Sequence, residues 1–351
     1  MIQTTSLVRK PLNLNCDTTS TYPGMKALVL FIAALLIGSV PTAESFAYSY
    51  DSILDVTDEF FSDDLIIYRA EYDIVDILYP LNGLNKDSFT NNRVYFFTLA
   101  DFKSGKRIDK GLFININGVA TKLLDNGRVS AAAKDHTKEA YFGATDGLYA
   151  YDVVKNKAVK YGNFDDPIIS LGKVKGEDTI YALTEDNVLY KVTELGTKRE
   201  KIDHAPNLED IVLDASNNLY FSTPDKRVHI VGRDGVQQVK GLPEHISYLK
   251  IYKAPFFVED AIAVIANEMS HLVFFNGTVG DGHCKYLVKP TAYSLQPLLL
   301  QQYGYKKNIY ELNFLNSKTR KSFSGQIKNL VERRADQITK FTAELHTLVD
   351  I

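Results

Sequence analysis

Three stretches in the middle of the chain share one phrasing: YFGATDGLYAYD (Tyr141 to Asp152), YALTEDNVLYKV (Tyr181 to Val192) and YFSTPDKRVHIV (Tyr220 to Val231). Each is an aromatic-led apolar run, a polar turn, and a second apolar run. The leading tyrosines are 40 and 39 residues apart. Self-similarity at a fixed period of this length marks a repeat architecture. Looser copies occur at RVYFFTLADF (Arg93 to Phe102), AVIANEMSHLVFF (Ala263 to Phe275) and IYELNFLNSK (Ile309 to Lys318). Taking Tyr95, Tyr141, Tyr181, Tyr220, Val264 and Tyr310 as equivalent gives spacings of 46, 40, 39, 44 and 46.

Each unit divides into four strands. Around Tyr220 they are EDIVLDA, NLYFST, RVHIVGR and GVQQVKG, joined by Ser216-Asn217-Asn218, Pro224-Asp225-Lys226 and Asp234-Gly235. Asn, Asp, Pro and Gly are the residues that turns require. The two preceding units read IISLGKV, TIYALTE, VLYKVTE, KREKID and VSAAAKD, AYFGAT, GLYAYDV, AVKYGNF. One such sheet cannot cover both of its own faces. Sheets packed face to face around an axis can, and forty-odd residues per four strands is the β-propeller period. The first strands are small or apolar and belong at the axis, while the polar fourth strands face water. Six hairpins predict an all-β fold, a propeller of six blades with four antiparallel strands each. LIIYRAEYDIVDILYP (Leu65 to Pro80) supplies the closing strand and the first inner strand.

The ends read differently. Residues 1–24 are a polar extension. From Met25, Lys26 and the apolar run Ala27 to Val40 followed by PTAES form a secretory signal over 25–45, cleaved after Ser45. The run is too short to span a bilayer comfortably. The propeller is assigned to 46–325. Residues 326–351 place Ile327, Leu330, Val331, Ile338, Phe341, Leu345 and Leu348 at helical spacing, an amphipathic C-terminal helix. SILDVTDEFFSDD suggests a further short helix capped at Ser52.

Removing 1–45 leaves 37 Lys+Arg and 41 Asp+Glu, so the mature chain is mildly acidic and offers no basic face for nucleic acid. Cys284 is then the one remaining cysteine, which rules out an internal disulfide and puts the burden of stability on the core. Asn276-Gly277-Thr278 is a glycosylation sequon after an apolar run, where a loop is expected.

The sequence contains no HExxH, CxxC, GxSxG or Walker motif, and its seven histidines lack metal-ligand spacing. The expectation is a non-enzymatic protein with no cofactor. Propeller geometry puts Arg128, Asp166, Glu209, Asp210, His245, Tyr248 and Gln296 at the mouths of the inner strands. Asp166, Glu209 and Asp210 could gather Ca²⁺ by oxygen ligation, as in calcium-dependent lactonases and esterases on six-bladed rings. Arg128 and His245 would oppose such an ion by Coulomb repulsion. The mixed set suits a planar, polar aromatic ligand better, with tyrosine faces for stacking and Arg for a carboxylate. A protein-interaction propeller is the third alternative, for which the C-terminal amphipathic segment speaks.

The stretches GLFININGVATKLL (Gly111 to Leu124), KEAYFGATDGLYAYD (Lys138 to Asp152) and DTIYALTEDNVLYKVTE (Asp178 to Glu194) resemble the ommochrome-binding proteins of lepidopteran haemolymph. The similarity is one of repeat phrasing over roughly residues 50 to 320. The resemblance implies a secreted carrier in insect haemolymph whose partner is a planar, acidic, tryptophan-derived pigment of the ommatin or xanthommatin type; a monomer is expected. It brings no binding-site motif to particular positions, and the leader before Met25 departs from the family.

Overall fold

The computed structural model describes residues 53–80, 94–133, 139–202, 207–232, 235–254, 258–295 and 300–313. The 1–24 extension, the signal at 25–45, Gln296 and the C-terminal helical segment at 326–351 lie outside them.

The described chain is all-β and forms six blades around an axis. Blade 1 comprises Asp73–Leu78, Val94–Asp101, Ile108–Ile116 and Val119–Leu124. Blade 2 comprises Gly127–Ala131, Tyr141–Ala144, Gly147–Asp152 and Lys157–Lys160; blade 3, Ile168–Lys173, Ile180–Thr184, Leu189–Thr193 and Lys198–Lys201. Blade 4 comprises Asp210–Leu213, Leu219–Ser222, Val228–Gly232 and Gly235–Gln238; blade 5, Leu249–Lys253, Ala261–Ala266, Met269–Phe274 and Val279–Tyr286. Blade 6 takes Ala292–Ser294, Leu300–Tyr305 and Asn308–Asn313 from the end of the described chain and Ile66–Arg69 from its beginning.

That borrowed strand closes the ring, as Leu65 to Pro80 predicts: Ile66 pairs with Tyr310 and Arg69 with Asn308. The segment before it is not a helix. Leu54–Val56 adds a parallel fifth strand to blade 5, and two 3-10 turns, Asp58–Phe60 and Asp63–Leu65, lead into blade 6. Phe60 and Phe61 drive this course, because both bury against Tyr303 with ring centroids 5.7 Å away.

Six apolar clusters occupy the six seams between neighbouring blades. Strand alternation produces them, since successive side chains point to opposite faces. Phe221 packs toward blade 3 and Tyr220 toward blade 5. Polarity falls from rim to axis: Lys198–Lys201 is exposed at every position, whereas all six residues of Ala261–Ala266 are buried.

Three repeat equivalences shift on the structure, one of them Val264, which faces the preceding blade while Ala263 and Ile265 face the following one. Tyr141, Tyr181 and Tyr220 each face the following blade, but Tyr95 faces the preceding one, and its neighbour Phe96 takes the repeated position. Tyr310 lies in the third strand of blade 6, not the second; the second is Leu300–Tyr305, where Tyr303 pairs with Tyr310.

Candidate binding channel

The six inner strands line a cavity of about 420 Å³ on the ring axis. Each contributes a polar side chain at a matching level: Asp76, Ser130, Ser170, Asp210, Lys250 and Ser294. These side chains bond across the seams. Asp76 Oδ2 accepts from the Ser130 amide at 2.8 Å and the Ser130 hydroxyl at 2.5 Å. The Ser170 hydroxyl donates to Asp210 Oδ1 at 2.7 Å, and Lys250 Nζ donates to Asp210 Oδ2 at 3.2 Å. In blades 1, 2 and 3 the inner strand carries a bulge, at Val75, Arg128 and Ile169. A bulge re-aims the side chains beside it, and here it precedes Asp76, Ser130 and Ser170 in three consecutive blades.

The environment sets their charge states. Burial pushes the Asp76 carboxyl above the usual range, opposed by the Ser130 bonds and by the charges of Lys250 and Arg107. The Asp210 carboxylate holds the Lys250 ammonium above its usual value, against burial.

The rim above the inner strands carries its own charge network. Arg128 Nε donates to Asp109 Oδ2 at 2.7 Å and its Nη1 to Glu185 Oε2 at 3.0 Å. Arg107 Nε donates to Asp109 Oδ1 at 2.7 Å and its Nη2 to the Arg128 carbonyl at 2.9 Å. Lys226 Nζ meets both oxygens of Glu209, at 2.9 and 2.8 Å. At the far end of the inner strands Lys253 of blade 5 reaches across the axis. It donates to the carbonyl of Ala132, which follows the inner strand of blade 2, at 2.9 Å. Blades 2 and 5 are diametrically opposite, so this side chain bars the channel at that end.

One side of the cavity is aromatic. Tyr252 and Tyr293, on adjacent inner strands, lie 6° from parallel with centroids 5.0 Å apart. Tyr286 and Tyr303 back them edge-on to Tyr293.

Of the residues singled out from sequence, Arg128, Glu209 and Asp210 line the cavity. Asp166 pairs instead with Arg199 on the outer surface, both about half exposed. His245 is exposed and its carbonyl accepts from Asn267 Nδ2 at 3.0 Å. Tyr248 packs on the seam between blades 5 and 6 with Lys289 Nζ 4.8 Å from its ring centroid. Asn276 is exposed on the turn joining Met269–Phe274 to Val279–Tyr286, where its side-chain oxygen accepts from the Thr278 amide and hydroxyl. Asp76, Lys250, Ser130, Ser170, Ser294, Tyr252 and Tyr293 escaped the sequence reading. The signal for the polar ring was a polar residue recurring inside the short first strands, at spacings of 54, 40, 40, 40 and 44.

Among the described residues, no three His, Cys, Asp or Glu side chains converge as a metal site. No described helix is long and apolar enough to cross a membrane.

No family model matches the chain, and no curated protein does. Solved structures do resemble it in fold. A protein of unknown function from Bacteroides thetaiotaomicron shares 11% identity at a TM-score of 0.48, covering 74% of each chain. The extracellular domain of a putative one-component system from B. thetaiotaomicron shares 9% at 0.43, covering 68% of this chain and 40% of that one. PorZ, a surface component of the type-IX secretion system of Porphyromonas gingivalis, shares 9% at 0.44, covering 70% and 37%.

Proposed function

We propose that this six-bladed propeller is a secreted, non-enzymatic carrier that holds a planar aromatic compound in its axial channel. The observation that carries the reading is the contrast between the two walls. Tyr252 and Tyr293 line one side as a stacked aromatic pair, and the polar ring with its four neighbouring cations, Arg107, Arg128, Lys250 and Lys253, lines the rest. A cavity of about 420 Å³ lies within the usual span for small-molecule sites. A ring fixed by six seams needs little ordering on binding, which favours affinity. The resemblance to ommochrome-binding proteins gives the compound its class, an ommatin-type pigment with acid groups that the cations attract. The leader at 25–45 and the exposed sequon at Asn276 support passage through the secretory route.

A calcium-dependent hydrolase on this scaffold would gather oxygen ligands at the axis. Lys250 sits among the axial oxygens here, and its charge opposes a dication.

The test is titration of residues 46–351 with xanthommatin, following the pigment's visible band because the chain has no Trp. A saturable band shift at one ligand per chain is expected. A flat titration at micromolar protein removes the pigment reading.

A further inference from the structure

Most of the charges lining the channel pair off within the protein. Asp210 is paired with Lys250, and Glu209 with Lys226. Arg107 and Arg128 share Asp109, and Arg128 also holds Glu185. Asp76 stands apart from these pairs. Its bonding partners are the amide and hydroxyl of Ser130, both neutral. The cations that act on it at longer range, Lys250 and Arg107, are already bonded to Asp210 and Asp109. Both Ser130 bonds fall on Oδ2, so Oδ1 carries neither. A carboxylate inside a protein is costly unless it is paired. An unpaired one lining a cavity, with an acceptor oxygen to spare, is matched by a ligand that brings the missing cation.

We infer that Asp76 is the polar anchor of the channel and takes a protonated amine, so that the ligand is an aromatic compound bearing an ammonium group. This rests on the carrier reading and narrows it. Any acid groups of the ligand fall to the rim and floor cations, while its amine falls to Asp76. Ser130 acts as the positioning residue: its two bonds fix one oxygen of the carboxylate and aim the other. The stacked tyrosines that line the same cavity supply the aromatic contact.

The experiment compares three phenols of one shape by calorimetry: tyramine, its neutral alcohol 4-(2-hydroxyethyl)phenol, and the acid 3-(4-hydroxyphenyl)propionate. Wild-type protein is expected to bind tyramine at least tenfold more tightly than the alcohol, and to bind the acid more weakly than tyramine. Asp76→Asn, which retains an acceptor for Ser130, is expected to bind tyramine and the alcohol alike. The wild-type comparison needs no variant to fold. Equal binding of amine and alcohol by the wild type, no binding of the amine at millimolar concentration, or a preference that survives Asp76→Asn would each overturn the anchor. The two readings fail separately. A pigment titration that is identical in wild type and Asp76→Asn removes the anchor and leaves the carrier. A flat pigment titration beside an Asp76-dependent amine preference removes the pigment and leaves the anchor.

Discussion

Lys250 Nζ lies 3.2 Å from Asp210 Oδ2, joining the inner strands of blades 5 and 4 from within the channel. The pair is intermediate between a surface and a buried bridge, with side chains 38% and 27% exposed. Lys250→Met, which keeps the stem and removes the charge, is expected to cost about 1–2 kcal/mol, above the surface median and below the fully buried range. Asp210→Asn in the same background is expected to recover part of the loss, because the orphaned carboxylate is then neutral. The pH dependence has a definite sign. Asp210 raises the folded-state value of Lys250, so the contribution is complete below the unfolded value near pH ~10 and is lost as pH rises through the folded one. Thermal midpoints between pH 8 and 11 should fall more steeply for the wild type than for Lys250→Met. Parallel curves would show that the pair contributes nothing.

Ring closure rests on the N-terminal segment. Phe61 is buried and touches Tyr303, Tyr305 and Tyr310, with centroids 5.7, 4.7 and 5.0 Å away. Phe61→Ala opens a cavity where the first and last parts of the ring meet, and is expected to cost about 3–5 kcal/mol. Val154→Ala, at a side chain 95% exposed, should stay within about 0.5 kcal/mol. Denaturant titration reads both. A Phe61→Ala loss under 1 kcal/mol would mean that the closing segment is dispensable.

The repeat and its closure were legible because turn chemistry and strand alternation are local. Pro224-Asp225-Lys226 announces a turn without reference to any other blade, and Lys226 there adopts a φ of 62°. Which member of a Tyr-Phe pair faces which seam is not local. Tyr95 and Phe96 are both buried, and neighbouring blades decide their direction. The same limit applied to the channel. Glu209 and Asp210 stand at the start of a strand, where a mouth is expected. Asp76 lies inside DIVDIL, reads as a solvent-facing alternate, and reaches the axis beside a bulge that the sequence does not mark. Tyr252 and Tyr293 are 41 residues apart in sequence and become one wall only when blades 5 and 6 pack together.

Gly162 and Gly196 meet where blades 2 and 3 approach at their outer edges. A Cβ on Gly162, which has a φ of +70°, would lie 2.0 Å from the Gly196 carbonyl oxygen. Backbone cannot yield there as a flexible side chain would, and the Asn163 amide donates to that same carbonyl at 3.1 Å. Gly105 has a similar φ of +74° but open space around it. Gly105→Ala should therefore cost only the left-handed penalty, about 1–2 kcal/mol. Gly162→Ala adds overpacking of about 1–3 kcal/mol. Equal losses at the two sites, measured by denaturant midpoints, would place the whole cost in the dihedral angle and none in the seam.

Asp76 separates stability from binding. Burial raises its folded-state carboxyl above the unfolded value, so the folded chain holds the proton more tightly. Stability therefore grows as pH falls through the folded value, and the carboxylate, once ionised, weakens the fold. Asn cannot ionise and keeps an acceptor for Ser130. Asp76→Asn is expected to match or exceed the wild-type thermal midpoint at pH 8, with the difference closing by pH 4. The same variant is expected to lose the tenfold amine preference. A substitution that firms the ring and empties its channel of selectivity would mark a residue retained for its ligand at the expense of the fold. A carboxylate serving structure would show the opposite at pH 8, a lower midpoint for Asp76→Asn with the amine preference unchanged.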